Sequence, residues 1–279
     1  MKQFMRTAVA FSSIGLMVFS LFIAVSLFSP STSSRTFISY GNGPINLSNA
    51  GTLKSQNWGG YAAATGIKPT ASVTAVSGSW TVQTVSATST GTYSSQWIGI
   101  GGLFPGDTSL IQTGTESDYV GGAHYSAWYE LLPSGPVTLT TVPVNPGDVI
   151  SASIICTNSC SSTTQNWTIT IADVTTETHF SQAFTYSSSQ YSAEWIEERP
   201  ALCFVFVCRL TTLASFGIAQ YGLDYTGVGT TNYATIGGVT GQISMFPHAS
   251  ITMVSSSGST LAMPSTLSRD GTSFTMVRT

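Results

Sequence analysis

From Asn57 onward, apolar and polar positions alternate in short runs, and clusters of Gly, Pro, Asn and Ser separate them. In Trp167-Thr-Ile-Thr-Ile171 every second side chain is apolar. Between Val149 and Cys156, Ile150, Ala152 and Ile154 fall on one face, with Ser151 and Ser153 on the other. Phe274 and Met276 alternate with Thr275 near the end, where Val277 weakens the pattern. A strand turns its side chains over every two residues and a helix every 3.6, so a period of two with β-branched and aromatic residues predicts strands. No convincing amphipathic helix follows residue 28, and no internal repeat is visible. Many short strands with frequent turn signals predict an all-β domain over residues 53–279. The expected architecture is a sandwich of two antiparallel sheets, jelly-roll or concanavalin-like.

The N-terminus breaks this texture. Lys2 and Arg6 precede an uncharged, mostly apolar run from Thr7 to Phe28. A positive start followed by an apolar stretch is the pattern of an export signal. The run is also long enough to cross a bilayer as a helix. A cleaved signal over residues 1–28 is the first reading, and an uncleaved anchor formed by residues 7–28 is the second. Both place the rest of the chain outside the cytoplasm. Residues 29–52, rich in Ser, Thr, Gly and Asn, read as a linker or short pro-segment.

Charge narrows the range of functions. Only 8% of residues are charged and the net charge is −3, so no basic patch exists to neutralise phosphates and nucleic acid is excluded as a partner. With 12 carboxylates in the chain, few salt bridges can be lost on protonation, which suits an acidic medium. The four cysteines, Cys156, Cys160, Cys203 and Cys208, allow three pairings. The local pairs Cys156–Cys160 and Cys203–Cys208 need the least loop closure and fit an oxidising compartment.

Candidate chemistry starts from the scarce carboxylates. Glu130 ends His124-Tyr-Ser-Ala-Trp-Tyr-Glu130, and Glu194 sits in Tyr191-Ser-Ala-Glu-Trp-Ile-Glu-Glu198. On a strand, Glu194 shares a face with Ser192 and Ile196, opposite Ala193, Trp195 and Glu197. Burial among apolar groups raises a carboxyl pKa, which suits general acid/base work. Glu197, Glu198, Asp224 and Asp270 read instead as solvated carboxylates, and Asp148 as a turn residue. There is no G-x-S-x-G elbow, no H-E-x-x-H and no D-T-G or D-S-G. His124, His179 and His248 have no metal-ligand spacing. A hydrolase here must use Glu, with an amide or aromatic partner.

Six ordered segments carry a resemblance: Asn57-Trp-Gly-Gly-Tyr61, Trp97-Ile-Gly-Ile-Gly101, Leu110-Ile-Gln-Thr-Gly114, Ala127-Trp-Tyr-Glu130 with Pro133, Pro146-Gly-Asp148, and Ser192-Ala-Glu-Trp-Ile196. Together they resemble the glutamic peptidases, or eqolisins. The resemblance implies a β-sandwich whose active site lies on the concave face of one sheet. It implies an acid-active endopeptidase that acts on polypeptides without metal or cofactor. Gln112 and Glu194 fall on the catalytic dyad, Glu activating water and Gln stabilising the oxyanion. Trp58, Trp97 and Trp128 fall on the substrate cleft, and Glu130 on a carboxylate near the dyad. The expected state is a secreted monomer that touches a membrane only through an N-terminal anchor. The chain departs from fungal members at Gly101 and Ser126, where they carry Asp, and at Leu131-Leu132, which replaces an aromatic pair. It also lacks their cysteines around the Q-T-G segment.

Two alternatives use the same residues. A jelly-roll glycoside hydrolase would pair Glu130 with Glu194, about 5 to 5.5 Å apart in a retaining enzyme. A carbohydrate-binding sandwich would use the tryptophans alone and leave Glu194 dispensable.

Overall fold

The computed structural model describes residues 34–36, 51–204 and 207–279. The apolar run at 7–28, with its signal, anchor and helix readings, lies outside the described residues. So does most of the 29–52 segment read as a linker or pro-segment. Among the described residues, no helix is long and apolar enough to cross a membrane.

Twelve strands build the two layers: β1 (Trp58–Ala64), β2 (Val73–Thr81), β3 (Ser95–Gly101), β4 (Leu110–Tyr119), β5 (Ala123–Leu131), β6 (Val149–Asn158), β7 (Gln165–Asp173), β8 (Thr178–Tyr186), β9 (Ser192–Glu198), β10 (Ile218–Tyr221), β11 (His248–Val254) and β12 (Phe274–Arg278). The front sheet runs β5–β4–β3–β9–β1–β11, antiparallel at each of these pairings, and a short strand, Gly51–Ser55, adds to β11 in parallel. The back sheet runs β8–β7–β6–β2–β10–β12, also antiparallel. A short strand, Thr260–Pro264, pairs with both β11 and β12 and carries the hydrogen-bonded path from one layer to the other. The sandwich is therefore closed by main-chain hydrogen bonds on that side. At the opposite side, Tyr129 of β5 stacks on Phe180 of β8 at 5.5 Å between ring centroids.

The alternating patterns bury as expected. In β7 every odd residue from Gln165 to Asp173 is buried. Ile150, Ala152 and Ile154 point inward from β6, while Phe274 and Met276 of β12 are buried and Val277 is exposed. Trp80, Trp167 and Trp195 fill the space between the sheets with Ile98, Ile100, Ile169 and Ile171. A four-residue helix, Leu223–Thr226, is the one α-helix among the described residues. It is too short to leave an amphipathic signature.

Both local disulfides form, Cys156–Cys160 and Cys203–Cys208. The second pair faces across a hairpin of Ala201–Phe204 and Val207–Leu210, which pairs with Ser34–Thr36 in a separate three-stranded sheet. One expectation is corrected. Glu197 and Glu198 are not solvated carboxylates at an edge. Their strand, β9, is hydrogen-bonded on both sides, to β1 and β3, and both residues are fully buried.

Candidate active site

Register across the front sheet puts chemistry in rows. One row reads Glu130, Gln112, Gly99, Glu194, Ala62, Ala249, each directly opposite the next on the adjoining strand. The next row reads Trp128, Gly114, Trp97, Ile196, Gly60. A third reads Ser126, Glu116, Ser95, Glu198, Trp58. Alternation turns all three rows to the same side of the sheet, away from the inter-sheet core, as the period of two requires. Trp58, Trp97, Trp128, Ile196, Leu103, Phe104 and Leu110 form a second apolar cluster on this face.

Glycine sets the shape of the first row. Gln112 and Glu194 stand two strands apart, about 10 Å between backbones at ~4.8 Å per strand. Gly99 between them has no side chain. A Cβ there would lie 2.9 Å from Trp97 Cζ3, 3.0 Å from Leu110 Cδ1 and 3.4 Å from Gln112 Cβ. Trp97 and Leu110 close over Gly99, so only a glycine fits between the amide and the carboxyl. Glu130 and Glu194 are three strands apart, about 14 Å between backbones, with Gln112 interposed. This arrangement does not suit a retaining glycosidase pair.

Electrostatics on this face all run in one direction. Glu194 has 0% of its surface exposed. Burial pushes its carboxyl well above the usual range, while Ser192 on the same face draws it down. Neither of its carboxyl oxygens has a well-formed hydrogen bond. A buried oxygen without a donor is costly and marks a place where a ligand or water belongs. Gln112 approaches Glu130, with Gln112 Nε2 and Glu130 Oε2 2.6 Å apart, and Gln112 Oε1 has no partner. Burial, together with the like charges of Glu198 and Glu116, lifts Glu130 to about 9. Glu198 accepts from Trp97 Nε1 at 2.8 Å and Asn57 Nδ2 at 3.2 Å, and burial raises it to about 8. Trp58 meets Trp97 edge-on, 5.1 Å between centroids. No group of His, Cys, Asp or Glu among the described residues could hold a metal ion.

The sequence model of the Peptidase A4 family matches residues 56–271. The chain belongs to the Peptidase A4 family. Solved structures agree in fold. Scytalido-glutamic peptidase with a transition state analog inhibitor superposes with a TM-score of 0.64 at 22% identity, covering 80% of this chain and 98% of that one. SCP-B, a member of the eqolisin family of peptidases in complex with the tripeptide Ala-Ile-His, gives 0.61 at 23% identity, with coverage of 80% and 98%. Aspergilloglutamic peptidase from Aspergillus niger gives 0.52 at 24% identity, covering 67% of this chain and 99% of that one. No curated protein matches the sequence. The eqolisin resemblance read from the six segments is thus borne out at the level of family and fold.

Within this A4 domain the six site residues expected from sequence, Gln112, Glu194, Trp58, Trp97, Trp128 and Glu130, share one face and three adjacent rows. Sequence reasoning missed three contributors. Gly99 lay in a quoted motif, but what it separates depends on pairing with distant strands. Glu198 was set aside as solvated. Asp107 accepts from Gly102 N at 2.9 Å, Ser109 N at 3.0 Å and Ser189 Oγ at 2.6 Å. It ties the 102–109 loop to the segment entering β9, and its charge also raises Glu194. Its signal was Pro105-Gly-Asp107, the same turn triplet as Pro146-Gly-Asp148. Asp148 itself accepts from Asn145 N at 2.7 Å, which is the turn role expected of it.

Proposed function

We propose that the chain is an exported, acid-active endopeptidase in which Glu194 activates water and Gln112 stabilises the oxyanion. The carrying observation is the row that sets a buried, unpartnered carboxyl and a side-chain amide on either side of Gly99. A substrate carbonyl entering between Gln112 and Glu194, with Trp97 Cζ3 and Leu110 Cδ1 moved aside, meets both groups. Water bound there donates to Glu194, and that hydrogen bond favours the ionised carboxyl against the burial that raises it. Glu194 takes the water's proton as the oxygen attacks the carbonyl carbon. The Gln112 amide donates to the developing oxyanion, a contribution of roughly 3 to 4 kcal/mol to the barrier. Protonated Glu194 then gives its proton to the departing nitrogen. Trp58, Trp97 and Trp128 offer an apolar wall to peptide side chains, and the Asp107 loop frames the end of the cleft at Ser192. No cofactor enters this scheme.

The test is hydrolysis of a denatured protein between about pH 2 and pH 7 by wild type and Glu194→Gln, which differ by one proton-accepting group. Acid-limited cleavage that the substitution abolishes is the expected result. Undiminished cleavage by Glu194→Gln would remove Glu194 from the mechanism. A binding sandwich would show no cleavage by either protein.

A further inference from the structure

We propose that Glu130 is a positioning residue that holds Gln112 from behind, donating its own carboxyl O–H to Gln112 Oε1 so that both N–H bonds of the amide are free to face the substrate carbonyl. This rests on the peptidase reading above and adds a residue beyond the dyad.

Three observations carry it. The first is distance. The Gln112–Glu130 contact is 2.6 Å, ordinary for O–H···O and short for N–H···O. The second is satisfaction. With Gln112 Nε2 toward Glu130, Gln112 Oε1 and Glu130 Oε1 are both buried without a partner. The two ends of an amide have nearly the same shape, so its orientation is fixed by its partners. Turning the amide over gives Gln112 Oε1 a donor and moves the unpartnered end of the amide to Nε2, whose N–H bonds a substrate carbonyl can accept. The third is the charge around the carboxyl. The ionisable groups that act on this pair are Glu198 from β9, Glu116 from β4 and Tyr186 from β8. All three are acids, and none supplies a cation to draw off the Glu130 proton. Burial first, and then the charges of Glu198 and Glu116, lifts Glu130 to about 9.

The chemical consequence is directional. A protonated Glu130 presents one O–H, which only an acceptor can use, so the amide oxygen is held toward β5 and the nitrogen turns away from it. If Glu130 ionised, the carboxylate would capture an N–H. The lone pairs of Gln112 Oε1 would then face the oxyanion, and the electrostatic stabilisation would turn into repulsion.

The experiment joins a titration with kinetics. In protein carrying 13C-labelled glutamate, the Glu130 carboxyl carbon, assigned by its loss in Glu130→Gln, is followed at about pH 6, above the ordinary glutamate value of about 4.3. The expected resonance is that of a protonated acid. A carboxyl ionised at that pH in wild type overturns the proposal. In kinetics, Glu130→Met, which cannot donate, should lose about tenfold to a hundredfold in kcat with little change in KM, as expected of a misaimed oxyanion donor. Glu130→Gln, whose side-chain N–H can replace the carboxyl O–H, should recover most of that loss and should not depend on the proton. Equal losses in the two variants also overturn the proposal. Absence of peptidase activity in wild type would count against the proposed function, whereas the titration would still decide the state of Glu130.

Discussion

A side chain at position 99 would stand between Gln112 and Glu194. Gly99→Ala adds one methyl within 2.9 Å of Trp97 Cζ3 and 3.0 Å of Leu110 Cδ1. Leu110 Cδ1 can shift, but the Trp97 ring is buried and held by Glu198 and Trp58, so the variant should fold with a loss of about 1 to 3 kcal/mol. The reacting group should not fit as well, and kcat should fall by about tenfold or more, because misplacement near 1 Å can cost a hundredfold. Unchanged kcat would show that the reaction does not take place over this residue. Glu197, on the other face of β9, makes a different point. Gln83 Nε2 lies 2.9 Å from Glu197 Oε1, Tyr221 Oη lies 3.2 Å from Glu197 Oε2, and Tyr221 Oη donates to Ile196 O at 3.0 Å. If Glu197 is protonated and donates to Tyr221, both Glu197 oxygens and the Tyr221 hydroxyl are satisfied. Glu197→Gln should keep the same bonds, since its N–H replaces the O–H. Consecutive glutamates on a strand look solvated in sequence because nothing local reveals that the strand is central. The proposed dyad could be named from sequence because its segments are distinctive, whereas the neighbours on other strands could not.

Strands differ in how much they hold in place. Tyr186, at the end of β8, accepts from Leu110 N at 2.8 Å and donates to Leu132 O at 2.9 Å. Leu110 opens β4 and Leu132 follows β5, so one phenol ties the two strands that carry Gln112 and Glu130 to the opposite sheet. Tyr186→Phe leaves the buried Leu110 amide and the half-buried Leu132 carbonyl without this partner and should cost about 1 to 3 kcal/mol, measured by urea unfolding. It should also lower kcat more than it raises KM, because the loosened strands hold catalytic groups rather than substrate. A variant as stable as wild type would remove this role. Period-two alternation was enough to find β6, β7 and β12. It could not find which strand lies beside which, since register between β9, β3 and β4 is set by segments many residues apart.

For the whole molecule, the buried carboxyls fix how stability depends on pH. Glu130 is raised to about 9, and Glu197 and Glu198 to about 8, from an ordinary value of 4.5, in each case chiefly by burial. Below about pH 4.5 these groups are protonated whether the chain is folded or not, and their full contribution is present. Above that value the unfolded chain releases protons that the folded chain still holds, so stability falls as pH rises toward 8 or 9. The melting temperature should therefore be highest in acid and decline through neutrality. A melting temperature that climbs from about pH 4 to pH 7 would contradict these burial assignments. Glu197→Gln removes one such group and should be more stable than wild type at pH 7 by about 3 kcal/mol, with no advantage at pH 3. Low charge in the sequence pointed to acid tolerance through the scarcity of salt bridges. The structure adds a positive cause that composition cannot show, carboxyls whose burial favours the neutral acid.

The two layers are joined by main-chain pairing along Thr260–Pro264 and only by side chains at the other side. They resemble a bound book, with Thr260–Pro264 as its spine and Tyr186 as a clasp on the fore-edge. The row from Glu130 through Gln112 and Gly99 to Glu194 starts on the pages nearest the clasp and runs toward the spine. Wear should therefore reach Glu130 and Gln112 before Glu194, and partial opening would part the amide from the carboxyl while most of the volume stayed shut.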